Sequence, residues 1–139
     1  HASGGADMVK AAVEKLPQTS ITAVTVLTSL NPEELARLSL PTDTENLAVA
    51  LARRAISAGA TSIVCSPHEA ALMRTTLGTS VNIITPGVRL EESQKDDQQR
   101  VMTPKAAISQ GANYVVVGRP ITKAPHPGEM AAAIKHSLS

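Results

Sequence analysis

The sequence predicts an α/β fold: a parallel β/α barrel of the TIM type, present as about half, with four strand–helix units after a leading helix. Three observations predict it. Apolar, β-branched runs alternate with segments that carry helix-capping signals, the pattern of a parallel sheet. A complete eight-fold barrel takes about 250 residues, and this chain has 139. The runs also end alike, on small polar residues, glycine and arginine, where sheets of this kind bind their ligands.

The elements follow in order. The chain opens in a Gly-rich turn, "HASGGAD", with no element before it, so the domain reads as cut. After the leading helix comes "ITAVTVL" (Ile21 to Leu27), nearly continuous in apolar character, as expected of a parallel strand covered on both faces. Asn31-Pro32-Glu33-Glu34 then supplies an N-cap, a first-turn proline and two carboxylates at the positive end of a helix. Thr42-x-x-Glu45 reads as a capping box opening a longer helix that closes on Gly59. "TSIVC" (Thr61 to Cys65) is the second strand, and Ser66-Pro67-His68-Glu69 is a second capping box whose helix ends near Gly78. "VNIIT" (Val81 to Thr85) is the third strand. Thr103-Pro104 starts a short helix that Gly111 terminates, and "NYVVV" (Asn113 to Val117) is the fourth strand. The last helix is expected only after Pro125 and Pro127, running to His136 with Met130, Ala131, Ile134 and Leu138 at helical spacing. Residues 1–139 read as part of a single barrel domain with no second domain.

Composition narrows the classes of function. The chain is 42% hydrophobic and 18% charged with a net charge of +1, an ordinary soluble composition without the basic excess that nucleic acid requires. No apolar run approaches the roughly 18 residues that cross a bilayer, and no signal-peptide pattern opens the chain. With one cysteine, Cys65, no internal disulfide forms, and a reducing compartment, the cytoplasm, is expected. There is no Phe or Trp and a single Tyr, so Val, Ile, Leu, Ala and Met must fill the core.

The chemistry is expected at the strand ends. These carry Thr28 and Ser29, then Cys65 and Ser66, then "TPGVR" (Thr85 to Arg89), then "GRPIT" from Gly118. A glycine after the last strand lets the backbone approach a ligand, with its N–H as donor. Arg119 beside it offers a planar fork of donors matched to phosphate oxygens, and loops after the last two strands of such barrels commonly hold phosphate. The polar stretch Gly87 to Arg100 has the length of a lid, from which Arg89 and Gln98 fold onto a bound phosphate, while its other charges read as solvated surface. Cys65 reads as a small buried hydrophobe. His68 sits in a helix's first turn, and His126 and His136 read as exposed. No spacing suggests a metal site, and no nucleophile elbow supports a Ser–His–Asp arrangement.

"HASGG", "AVTVLTS", "TPGVR", "DQQRVMTP" and "VVVGRPIT", in this order, resemble the C-terminal half of orotidine 5′-phosphate decarboxylases. The resemblance covers essentially the whole chain. "GR-x-IT" alone also suits other phosphate-binding barrels such as hexulose-phosphate synthases, and the "DQ-x-R-V-M-T-P" loop motif decides between them. The resemblance implies a cytoplasmic, homodimeric barrel that converts orotidine 5′-monophosphate to uridine 5′-monophosphate in pyrimidine biosynthesis, with no cofactor and no metal. It implies that Thr28 contacts the pyrimidine side, Pro86 lines the base pocket and Arg89 helps bind the nucleotide. By the same resemblance Gln98 bridges base and phosphate, and Gly118 and Arg119 hold the phosphate. His1 and Ser3 lie at the mouth of the fourth barrel strand, nearer structure than chemistry.

One departure is decisive for mechanism. The family's catalytic lysine–aspartate network sits on an Asp-x-Lys-x-x-Asp motif at the end of the third barrel strand, and no such motif is present; "QKDDQ" has the wrong spacing. No catalytic residue is therefore expected in this chain, which needs the N-terminal half of the barrel. The alternative is a noncatalytic half-barrel that binds phosphate or associates with itself.

Overall fold

The computed structural model describes residues 1–90 and 102–138. Four strands pair in chain order, every pair parallel: β1 (Thr22–Val24), β2 (Ser62–Val64), β3 (Asn82–Pro86) and β4 (Tyr114–Val116). The alternation expected from sequence is present, with β1, β2 and β4 shorter than their apolar runs (β1 takes three residues of "ITAVTVL") and β3 shifted by one residue to end on Pro86.

The register explains what each strand residue does. It aligns Val24, Val64, Ile84 and Tyr114 in one row, and Ala23, Ile63 and Ile83 in the row beside it. Successive strand residues point to opposite faces, so the two rows lie on opposite sides of the sheet. Ala23, Ile63 and Ile83 are buried, whereas Tyr114 is 58% exposed and Val116, on the same side, 50%. Cover on both faces was the expectation; here one face is packed and the other is open. The packed face carries the core, in which Ile63 and Ile83 meet Ala48, Ala52, Ala70, Met73 and Ala107. Alanine at most of the helix positions lets the helices lie close to the sheet, which is how a chain almost without aromatics reaches core density.

The helices are α1 (Ala6–Lys15), α2 (Pro32–Arg37), α3 (Thr44–Ser57), α4 (Ala70–Leu77), α5 (Pro104–Ser109), α6 (Arg119–Thr122) and α7 (Pro127–Ser137). Three starts use the expected caps. Asn31 accepts from the Glu34 amide at 2.8 Å, Thr103 from the Ala106 amide at 3.1 Å, and Ser66 forms a full capping box with Glu69. Two details differ. α3 is capped by Asp43, which accepts from the Asn46 amide at 3.0 Å, rather than by a Thr42 box. The aspartate is one residue nearer the first turn, and its ionised oxygen is the stronger acceptor for helix N–H groups. Asn46 also donates its side-chain amide to Asp43, and together these bonds hold the Asp43 carboxyl below its ordinary value. The chain also turns helical at once after β4, as the single turn α6, instead of waiting for Pro127. Pro120 falls in that first turn, where a missing N–H costs nothing.

Opposite the strand C-termini, Arg74 of α4 ties the sheet together. Its guanidinium donates to the Gly78 and Val81 carbonyls at 2.5 and 2.9 Å, to the Gly111 carbonyl at 3.2 and 2.9 Å, and to Asn113 Oδ1 at 2.6 Å. Asn113 Oδ1 also accepts from the Ile83 amide at 2.8 Å, so the fork fixes β3 against β4 where both begin. Gly111 must be glycine there: its φ is +102°, and a Cβ would come within 2.9 Å of Arg74 Cβ.

Candidate functional site

At the opposite end of the sheet, the residues just beyond all four strands line one open cavity of about 400 Å³. Thr28 and Ser29 come from the segment after β1, and Ser66, Pro67 and His68 from the turn after β2. Pro86, Gly87 and Arg89 come from the end of β3, and Arg119 from the start of α6. Gly87 has φ +79°, a left-handed conformation that turns the chain out of β3 and sends Val88 back into the core. Val88 bridges Met102 in parallel, and the Arg89 amide donates to the Met102 carbonyl at 3.2 Å. Arg89 is thereby held on a short backbone pairing at the cavity's edge.

The lining offers two guanidinium groups, hydroxyls and an imidazole, with no carboxylate among the described residues that form it. That set suits an anion with several oxygens, because each arginine can present two parallel N–H groups.

Four of the six residues expected to bind substrate meet in this cavity: Thr28, Pro86, Arg89 and Arg119. Gly118 adjoins Arg119 and accepts from the Ile121 and Thr122 amides at 2.9 and 3.0 Å, which starts α6. A Cβ at Gly118 would meet no atom within 4 Å, so the backbone there is open to close approach. Gln98, with residues 91–100 of the lid expected across Gly87 to Arg100, lies outside the described residues. Sequence gives His68 no site role, yet it lies in the wall with Pro67. A capping box that starts directly at a strand end was the available signal, since it must place its first turn at the ligand-binding edge of the sheet.

Behind the Ser66–His68 wall a carboxylic acid is buried at the margin of the apolar core. Cys65 is 1% exposed and Glu69 6%. Burial pushes the Cys65 thiol up to about 12, the Glu69 carboxylate adding to the shift, so at neutral pH it is a thiol and a poor nucleophile. Glu69 is pushed up to about 7, chiefly by burial, with Glu45 adding and the Ser66 amide opposing. The consequence for stability has a definite sign. Between its ordinary value of 4.5 and about 7, the folded protein holds a proton that the unfolded chain has released. Stability is therefore expected to fall as pH rises through that window and to level off above it. Urea midpoints measured across the window check this, and Glu69→Gln should flatten the profile. An unchanged slope in that variant would locate the titration elsewhere.

Comparison with known proteins bears on this geometry. The model of the orotidine 5′-phosphate decarboxylase / HUMPS family matches residues 1–134. A curated orotidine 5′-phosphate decarboxylase of Thermobifida fusca is 51% identical over 138 residues, covering 99% of this chain and 59% of that protein. One from Frankia casuarinae is 48% identical, covering all of this chain and 51% of that protein. The crystal structure of the Lactobacillus acidophilus orotidine 5′-phosphate decarboxylase superposes with a TM-score of 0.83 at 32% identity, covering 100% of this chain and 61% of that one. This chain thus spans between half and two thirds of the proteins it matches, and its parallel sheet is part of an α/β barrel. A match that leaves only the final helix turn outside it makes the assignment plain: the chain belongs to the orotidine 5′-phosphate decarboxylase / HUMPS family.

Proposed function

We propose that this chain is the phosphate-gripping part of an orotidine 5′-phosphate decarboxylase. The observation that carries the reading is the convergence of Thr28, Pro86, Arg89 and Arg119, from three different strand ends, on one cavity. Arg119 and the Gly118 N–H take the 5′-phosphate, Arg89 a further nucleotide oxygen, and Thr28 and Pro86 the pyrimidine. Gln98 spans base and phosphate from the loop. Phosphate held far from the reacting carbon supplies binding energy that helps position the carboxylate where it is destabilised.

In the reaction the bond from the ring to the carboxylate breaks, carbon dioxide leaves, and the electron pair remaining on the ring carbon takes a proton. The aspartate that crowds the carboxylate and the lysine that delivers the proton belong to the preceding part of the barrel, since residues 1–139 hold no Asp-x-Lys-x-x-Asp motif. Residues 1–139 thus form part of one barrel domain. The completed barrel works as a cytoplasmic homodimer, as the sequence resemblance implies. Among the described residues no helix is long and apolar enough to cross a membrane.

The open face of the sheet supports the same reading. Tyr114 and Val116 stand exposed on it, and β1 and β4 each have one unpaired edge in the four-stranded sheet. Such edges and apolar faces associate. Residues 1–139 alone are therefore expected to self-associate and to leave orotidylate unchanged. Joined to the upstream part of the Thermobifida fusca relative, they should give a soluble protein that consumes orotidylate, followed by its absorbance. Turnover by residues 1–139 alone would refute the division of labour. A folded, joined protein that neither turns over orotidylate nor binds uridine 5′-monophosphate would refute the function.

A further inference from the structure

The cleft wall after β2 depends on a residue that does not line the cleft. Ser66, Pro67 and His68 face the cavity, whereas Glu69, the next residue, is buried behind them. Glu69 Oε2 accepts from the Ser66 amide at 3.0 Å, and Ser66 Oγ accepts from the His68 amide at 3.4 Å. The two bonds close a loop of four residues on itself, so the path of the wall is set from inside. We propose that Glu69 is a positioning residue for the ligand cleft: by accepting the Ser66 amide it holds the Ser66–His68 turn against the arginine side, and so sets how tightly a nucleotide is gripped.

The inference rests on reading the cleft as a nucleotide site. Two further observations favour it over a purely helix-capping role. A cap needs no burial, since solvent-exposed carboxylates serve the purpose; Asp43 caps α3 while exposed. Glu69 is instead 6% exposed, and its charge is disfavoured chiefly by that burial, with the exposed Glu45 of α3 adding; His68 is the titratable group on its own turn. Burying an acid disfavours its charge, and a protein tolerates that cost where the group's hydrogen bond fixes a segment. The turn also forms part of the cavity wall itself, so a change in its path alters the space in which a nucleotide would sit.

The test uses the completed barrel, with uridine 5′-monophosphate as the binding probe and orotidylate as substrate. Glu69→Ala should raise KM for orotidylate and Kd for uridine 5′-monophosphate about tenfold while kcat stays within about twofold. Glu69→Gln, whose amide oxygen still accepts from Ser66, should restore both constants to near the unaltered protein's. A lowered melting temperature in Glu69→Ala with unchanged KM and Kd would overturn the inference, because a structural cap alone predicts that outcome. Should that variant fail to fold, Glu69→Asp tests the same point: one methylene shorter, it should raise KM about threefold at unchanged kcat. An unaltered barrel that binds no uridine 5′-monophosphate would instead count against the proposed function, independently of Glu69.

Discussion

Replacing Arg119 by alanine in the completed barrel is expected to weaken uridine 5′-monophosphate binding by roughly 2–5 kcal/mol, about 30- to 5,000-fold, the range for truncating one member of a desolvated charge pair. Arg119 begins α6 directly after β4 and lines the cavity, so its backbone is fixed by the sheet while its side chain reaches the ligand space. The lower end of the range applies where solvent still reaches the pair, because exposed charges interact weakly. Uridine, which lacks the phosphate, should bind Arg119→Ala and the unaltered protein alike. Isothermal titration with both ligands separates the possibilities, and an equal loss for nucleotide and nucleoside would sink the assignment. Arg119→Lys should recover only part of the affinity, since an ammonium cannot present two parallel donors.

The second large effect lies at the far end of the sheet. Arg74→Ala removes every bond of a guanidinium that serves the carbonyls of Gly78, Val81 and Gly111 and the side chain of Asn113. Left without those donors, the part-buried Val81 and Gly111 carbonyls lose partners that water replaces incompletely. The expected cost is about 2–4 kcal/mol of unfolding free energy, a large share of the roughly 5–15 kcal/mol of an ordinary domain. Urea denaturation of the completed barrel measures it. A loss below about 0.5 kcal/mol would place Arg74 among ordinary surface residues. Arg74→Lys should recover little, because a single ammonium cannot span carbonyls on separate segments. Phosphate affinity should change far less than stability, as the lock and the cavity are at opposite ends of the strands.

Much of this organisation was legible in the sequence because it is local. The caps at Asn31, Ser66 and Thr103 act over three residues, and each pairs an acceptor side chain with an amide that the helix geometry brings to it. The edge that the cavity occupies was legible because parallel strands carry the segments after them to one end of the sheet; Arg89 and Arg119 needed only the strands to be identified, whereas Thr28 and Pro86 were singled out by the family resemblance. The Thr42 box failed for want of discrimination, since Thr42 and Asp43 are adjacent and both are able to cap. α6 was missed because Arg-Pro after a strand reads as irregular chain, although proline suits a first turn. Arg74 gave no sign at all. Its bonds to Gly111 and Asn113 span 37 and 39 residues, and an arginine late in an amphipathic helix looks like solvated surface until the fold closes around it.

The chain has one tyrosine and neither tryptophan nor phenylalanine, and that tyrosine stands on the uncovered side of the sheet. Its near-ultraviolet spectrum therefore comes from a single ring remote from the packed core. Spectroscopically the two sides of the sheet are separated: loosening the alanine- and isoleucine-rich interior leaves the chromophore's surroundings almost unchanged, while docking of any partner onto the bare side transfers Tyr114 from water into a dry contact. Tyrosine emission and near-ultraviolet dichroism thus read assembly, and far-ultraviolet dichroism reads folding. Followed together during mixing with the upstream part of a barrel, the two signals give the order of events, whether the halves fold first and then dock, or each becomes structured only on the other.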